Sequence, residues 1–234
     1  MKNTIILGLA LVFATSLNAQ QTEQRTVGAY DEISISGWFD VELVAGTEGQ
    51  ITLSGKASQL KHIDSEVING NLRIEWAKRT NINPFYSLSK IKITIPIEDI
   101  HSVSLSGSGS ISGDTTLNGE RMAAYLSGSG EIELDVDTDA LHSRISGSGD
   151  ITFHGRTKNH ETEVSGSGKI RAYDLDADVV SASIAGSANV NVKVNKEIKA
   201  RISGSGNVNY IGSADKIDSK VAGSGSVKKR KSTI

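Results

Sequence analysis

The sequence predicts an all-β fold, a single-stranded parallel β-helix with about 19 residues per turn, and three observations carry that expectation. First, one short phrase (apolar, small, Gly-Ser-Gly, polar, apolar) recurs seven times between residues 105 and 227. Its first glycines are Gly107, Gly128, Gly147, Gly166, Gly186, Gly204 and Gly223, spaced by 21, 19, 19, 20, 18 and 19 residues. A nearly fixed period of this size marks a solenoid, because one turn cannot bury its own apolar face and stacking supplies the missing surface. Second, apolar and polar residues alternate around every triplet with the period of two that a strand requires. Third, β-branched residues are frequent, and the only prolines, Pro84 and Pro96, precede the repeats.

The chain has 234 residues, enough for one good-sized core. Residues 1–19 read as a secretory signal. Lys2 supplies the positive start, Ile5 to Leu17 is apolar but short for a membrane span, and Ala19 offers a small residue for cleavage before Gln20. Export to the periplasm, cell surface or medium is therefore expected, and no later stretch is long and apolar enough to span a bilayer as a helix.

Residues 30–100 contain further strand-like runs at Ile33–Ile35, Val41–Val44, Ile51–Leu53, Leu72–Glu75 and Ile91–Ile95. Ser36-Gly37 and Ser54-Gly55 lie 18 residues apart and read as degenerate early turns. Trp38 and Trp76 suit the covering of an open solenoid end. The irregular stretch from Ala77 to Lys90, with Pro84, Phe85 and Tyr86, reads as a plain insertion or a recognition loop.

Within the repeats, the position six before each first glycine holds His101, Met122, Leu141, His160, Val180, Ile198 and Ile217. The position two before holds Leu105, Leu126, Ile145, Val164, Ile184, Ile202 and Val221, and that four after holds Ile111, Ile132, Ile151, Ile170, Val190, Val208 and Val227. These rows should face inward. Connections are expected at Asp135 to Ala140, Gly155 to Asn159, Asp174 to Asp178 and Gly212 to Lys216. If the alternation runs through the triplets, both glycines face inward at a corner. The first glycine never varies, which implies a positive φ or no room for a Cβ, whereas Ala188 replaces the other once.

The middle residues Ser108, Ser129, Ser148, Ser167, Ser187, Ser205 and Ser224 then form one outward file. Strands stack about 4.8 Å apart, too far for neighbouring hydroxyls to bond each other. Serine is small and content in tight turns, so the file reads either as plain corner chemistry or as a binding strip of hydroxyls and exposed amides.

Ile198 to Gly212 (IKARISGSGNVNYIG) resembles the late repeat of the auto-transporter adhesin head GIN domain family, and Tyr30 to Val41 (YDEISISGWFDV) resembles its opening segment. The likeness covers residues 27–227, leaving a basic tail over 228–234. It implies a right-handed coil, an adhesive role in the envelope or outside the cell, and no catalytic residues. The resemblance reaches the head alone, and a translocating barrel is not expected.

Other chemistry finds little support. The net charge is −2, and four of the cations sit together at Lys228, Lys229, Arg230 and Lys231, so the body is acidic and no nucleic-acid partner is expected. There is no cysteine, hence no disulfide or thiolate metal site. Asp135, Asp137 and Asp139, like Asp174, Asp176 and Asp178, lack the Gly and Glu of a calcium loop and read as solvated turn residues. No cofactor or metal is expected. Arg144 with Glu163 reads as a surface pair between turns, and Asn189/Asn207 with Asn191/Asn209 as short amide ladders. The outward rows show no Asp, Lys and Arg cluster of the kind a polysaccharide-cleaving enzyme needs. The expected function is non-enzymatic binding of an extracellular glycan or surface protein; a β-helix enzyme or a purely structural envelope protein are the alternatives.

Overall fold

A computed structural model describes residues 21–77 and 90–231. The secretory segment and most of the Ala77–Lys90 stretch lie outside the described residues. The repeats form a stack of rungs. Strands β1 (Gln21–Thr26), β2 (Glu32–Gly37), β3 (Asp40–Ala45), β4 (Gln50–Gly55), β5 (Ile63–Ile68), β6 (Asn71–Trp76), β7 (Lys92–Ile97) and β8 (Ser102–Gly107) precede the long strands. Each of the next five covers most of a turn: β9 (Ser110–Gly128), β10 (Glu131–Gly147), β11 (Asp150–Gly166), β12 (Lys169–Gly186) and β13 (Asn189–Gly204). The final turns comprise β14 (Asn207–Ile211), β15 (Lys216–Gly223) and β16 (Ser226–Lys229).

From β8 onward every pairing is parallel, and the first glycines pair in one column, Gly128 with Gly107, Gly147 with Gly128, and so on to Gly223 with Gly204. The inward rows hold as the alternation requires, and Leu105, Leu126, Ile145, Val164, Ile184 and Ile202 are all buried. Burying such side chains contributes roughly 1.5–3 kcal/mol each, which is what the stack gains over a lone turn. His101 departs from its row. It stands exposed, with Nε2 3.2 Å from the Glu32 Oε1, because the strand beneath offers carboxylates at that edge.

The expected connections at Asp135–Ala140, Gly155–Asn159 and Asp174–Asp178 are not loops; only Gly212 to Asp215 leaves the strands. The other three remain paired through bends where the register shifts, between Glu133 and Asp135, Thr152 and His154, Ala172 and Asp176, and Ala177 and Val179. Differences in turn length are absorbed at these bends, so the Gly-Ser-Gly corner stays in register.

The N-terminal part does not stack in chain order. Gly37 pairs with Gly107, so β2 and β3 form a rung directly beneath the repeats. The rung beneath that is β6 and β7, which come later in the chain. Ser36-Gly37 is thus an early turn, whereas Ser54-Gly55 is not: β4 runs antiparallel to β7 and to β1, and β5 antiparallel to β6. Antiparallel strands, with the short helix α1 (Ala57–Leu60), close this end. Arg25 ties the closure together by donating to the carbonyls of Ile63 and Leu60 and to the Ser65 hydroxyl. The tryptophans serve there too, Trp38 and Trp76 with ring centroids 4.8 Å apart and Phe39 5.1 Å from Trp76.

Candidate functional site

The outer edge of the stack is built by the triplets. In every copy the first glycine has φ between +118° and +132°, a region L side chains avoid. A Cβ there would also overlap the carbonyl oxygen of the glycine one rung below. The second glycine lacks a positive φ. A Cβ there would also overlap a carbonyl oxygen of the rung below in the other six copies, yet Ala188 occupies the position once and lies wholly buried. Between them, Ser108, Ser129, Ser148, Ser167, Ser187, Ser205 and Ser224 all stand exposed in a single file.

The backbone beneath these serines is spoken for. The amides of Ser108, Ser129, Ser148, Ser167, Ser187 and Ser205 donate to the carbonyls of Gly37, Gly107, Gly128, Gly147, Gly166 and Gly186 at 2.8–3.2 Å. From Ser108 to Ser205 the strip therefore offers hydroxyls and not serine amides, which corrects the expectation of exposed amides along the ridge. The parallel ladder needs those donors to continue around the corner. None of the seven hydroxyls has a hydrogen-bond partner among the described residues.

Sequence reasoning missed the neighbouring row. Ser106, Ser127, Ser146, Ser165, Ala185, Ser203 and Ala222 are small and exposed directly before each triplet, because the alternation that turns the preceding aliphatic inward turns them out. Next to them runs Tyr125, Arg144, Glu163, Ser183, Arg201 and Lys220. The step from small to long side chains leaves a groove of about 650 Å³, with Ser165, Ala185, Ser203 and Ala222 at its base and Arg144, Glu163, Arg201 and Lys220 along its wall. Arg144 Nη2 lies 3.3 Å from Glu163 Oε2, the pair anticipated from the sequence. Arg201 Nη2 lies 2.6 Å from Asp218 Oδ2, and its hydrogen bonds hold the Asp218 carboxyl below the usual carboxylate range. A second hollow of about 450 Å³ on the same face collects Tyr125, His142, Glu161, His101 and Glu32.

The histidines do have partners, which the sequence did not reveal. His142 lies 3.7 Å from Glu161 and His154 3.3 Å from Glu133, each pair joining neighbouring rungs. His160 Nε2 is 3.0 Å from Ser143 Oγ, but both are buried, and His160 Nδ1 has no hydrogen-bond partner. With no carboxylate to orient the imidazole and no path to solvent, the pair lacks what a nucleophilic serine needs. Nor do the aspartates gather: Asp137 pairs with Arg156, Asp139 with Lys158, Asp176 with Lys193 and Asp178 with Lys196. Among the described residues no three His, Asp or Glu side chains are grouped to hold a metal ion. The amide ladders form as expected, Asn207 donating to Asn189 at 3.3 Å and Asn209 to Asn191 at 3.1 Å.

Residues 29–214 match the family model described as "Putative auto-transporter adhesin, head GIN domain". The chain belongs to that family. Solved structures share the head GIN fold. A "putative adhesin" from Bacteroides fragilis superposes with a TM-score of 0.85 at 21% identity, covering 92% of this chain and 98% of that one. A "putative lipid binding protein" from Parabacteroides distasonis gives 0.73 at 25%, covering 91% and 97%. A "putative adhesin" from Parabacteroides merdae gives 0.71 at 18%, covering 91% and 96%. No curated protein is similar to this chain. Among the described residues no helix is long and apolar enough to cross a membrane.

Proposed function

We propose that this head GIN protein is an exported, non-enzymatic binding protein that presents its serine corner and the groove beside it to an extracellular glycan or surface protein. The observation that carries this reading is the file of seven exposed, unpartnered hydroxyls repeated at the strand spacing of about 4.8 Å beside a groove walled by charged side chains. A linear polymer with regularly spaced hydroxyl or amide groups can meet such a file at many points, so weak contacts add along its length. Arg144, Arg201 and Lys220 would engage its acidic groups. Membership of an adhesin family supports binding over catalysis.

The test is a screen of the purified mature chain against immobilised glycans and matrix proteins, run beside a variant with Ser129, Ser148, Ser167 and Ser205 changed to Lys. The proposal expects a polymer that the native chain retains and the variant does not. Equal retention would remove the corner from the function. Depolymerisation of an acidic polysaccharide by the native chain would replace binding with catalysis.

A further inference from the structure

The two ends of the stack differ. At the N-terminal end the outermost strand β1 is polar along its length, the usual guard against strand addition. At the other end, among the described residues, β15 pairs only with β13 and β16 only with β14, so there their outer edges carry unpaired backbone donors and acceptors. The inward row also ends uncovered there. Ile217 is 50% exposed and Val221 40%, although their counterparts Ile198 and Ile202 one rung below are buried. Around this edge Lys220, Lys228, Lys229 and Lys231 have no carboxylate within ion-pair distance among the described residues, and the Arg230 guanidinium donates to the Asn209 amide oxygen at 2.9 Å.

We propose that this terminal edge is a docking site for an extended acidic segment of a partner protein, which adds one more rung to the solenoid. Three features select that occupant. The alternating N–H and C=O groups of an open edge are complementary to a peptide strand and to nothing in a lipid bilayer. Ile217 and Val221 lie at alternate inward positions, so the incoming strand should carry apolar residues with the same period of two. The uncompensated lysines call for carboxylates at the outward positions between them. A second copy fits poorly, since joining two such ends would set the same lysines against each other. The edge shares Lys220 and Val221 with the end of the groove but none of the serines changed in the corner variant, so this proposal and the function assigned above fail separately.

The chain supplies a suitable probe in Glu131–Asp137 (EIELDVD), whose acidic outward and aliphatic inward residues match this pattern. A labelled peptide of that sequence, and a control with Lys at each acidic position, would be titrated onto the native protein. Saturable binding of the acidic peptide alone is expected, weakened about tenfold or more as salt rises from about 50 to about 500 mM. It should protect β15 and β16 amides from hydrogen exchange. Ile217→Asp with Val221→Asp should abolish it, while the Ser-to-Lys corner variant should retain it. Because Ile217 and Val221 are already exposed, that double variant should fold, which circular dichroism would verify. Absence of saturable binding, protection mapping elsewhere, or unchanged binding in the double variant would overturn the proposal. So would preferential binding to phosphatidylserine vesicles, or self-association that the peptide does not compete.

Discussion

Ser143 Oγ lies 3.0 Å from His160 Nε2 across two adjacent rungs, in a core whose other buried side chains are mostly aliphatic. Phe153 packs edge-on against the imidazole, ring centroids 5.5 Å apart. Burial, with a smaller contribution from His142, pushes the His160 pKa down to about 3. The unfolded chain would take up a proton near 6.5. Stability from the neutral imidazole is therefore whole above about pH 6.5 and drains away as pH falls toward 3. The slope is at most about 1.4 kcal/mol per pH unit. Urea melts between about pH 4.5 and 7.5 should show His160→Leu with a shallower loss on acidification than the native chain.

The corner glycines give a sharper contrast. Gly166 has φ +124°, and an added Cβ would overlap the Gly147 carbonyl, so Gly166→Ala should cost about 2–4 kcal/mol. Gly119 sits at an exposed position where a Cβ meets nothing closer than 3.9 Å. Gly119→Ala should stay within about 1 kcal/mol of the native stability, on either side. Denaturation midpoints of the two variants separate a corner requirement from a general aversion to alanine.

Hydrogen exchange should grade along the axis. The central strands β10, β11 and β12 are paired on both edges, and the aliphatic inward residues there are buried. Amides of β15 and β16 should exchange fastest among the repeat strands, because a rung with one free edge opens at the lowest cost. Equal protection in β11 and β15 would contradict this.

The amide ladder stabilises the same end. Asn191 accepts from Asn209 at 3.1 Å and from the Tyr173 hydroxyl at 3.4 Å, and Ser226 Oγ donates to Asn207 at 2.7 Å. Asn191→Ala should lower stability by about 0.5–1.5 kcal/mol and raise exchange chiefly in β14 and β16. Thermal melts and exchange on one variant check both halves.

Much of this was legible in the sequence because the repeats report on themselves. Seven triplets in register fix the corner, the inward aliphatics and the outward serines, and the Arg144–Glu163 pair and asparagine ladders follow from the same alignment. The N-terminal closure was not legible. Strands such as Ile33–Ile35 and Leu72–Glu75 can be recognised locally, but nothing local says that β6 lies beneath β2 or that β4 runs antiparallel. The bends at Asp135–Ala140 and its counterparts read as loops because they lie between the repeated triplets and are rich in polar residues. In the fold their outward carboxylates meet Arg156, Lys158, Lys193 and Lys196 on adjacent rungs, so pairing continues. At the corner, the residue pattern placed the hydroxyls but could not show that the serine amides were already engaged.

The most direct test of the column on which all of this rests is a set of distances along it. Spin labels at Ser108 paired in turn with Ser187, Ser205 and Ser224 span four, five and six rungs. Pulsed EPR should give separations near about 19, 24 and 29 Å, before allowance for label linkers, rising by about 4.8 Å per rung. Distances that do not increase with the rung count would mean the triplets are not stacked, and the corner as a recognition surface would fall with them.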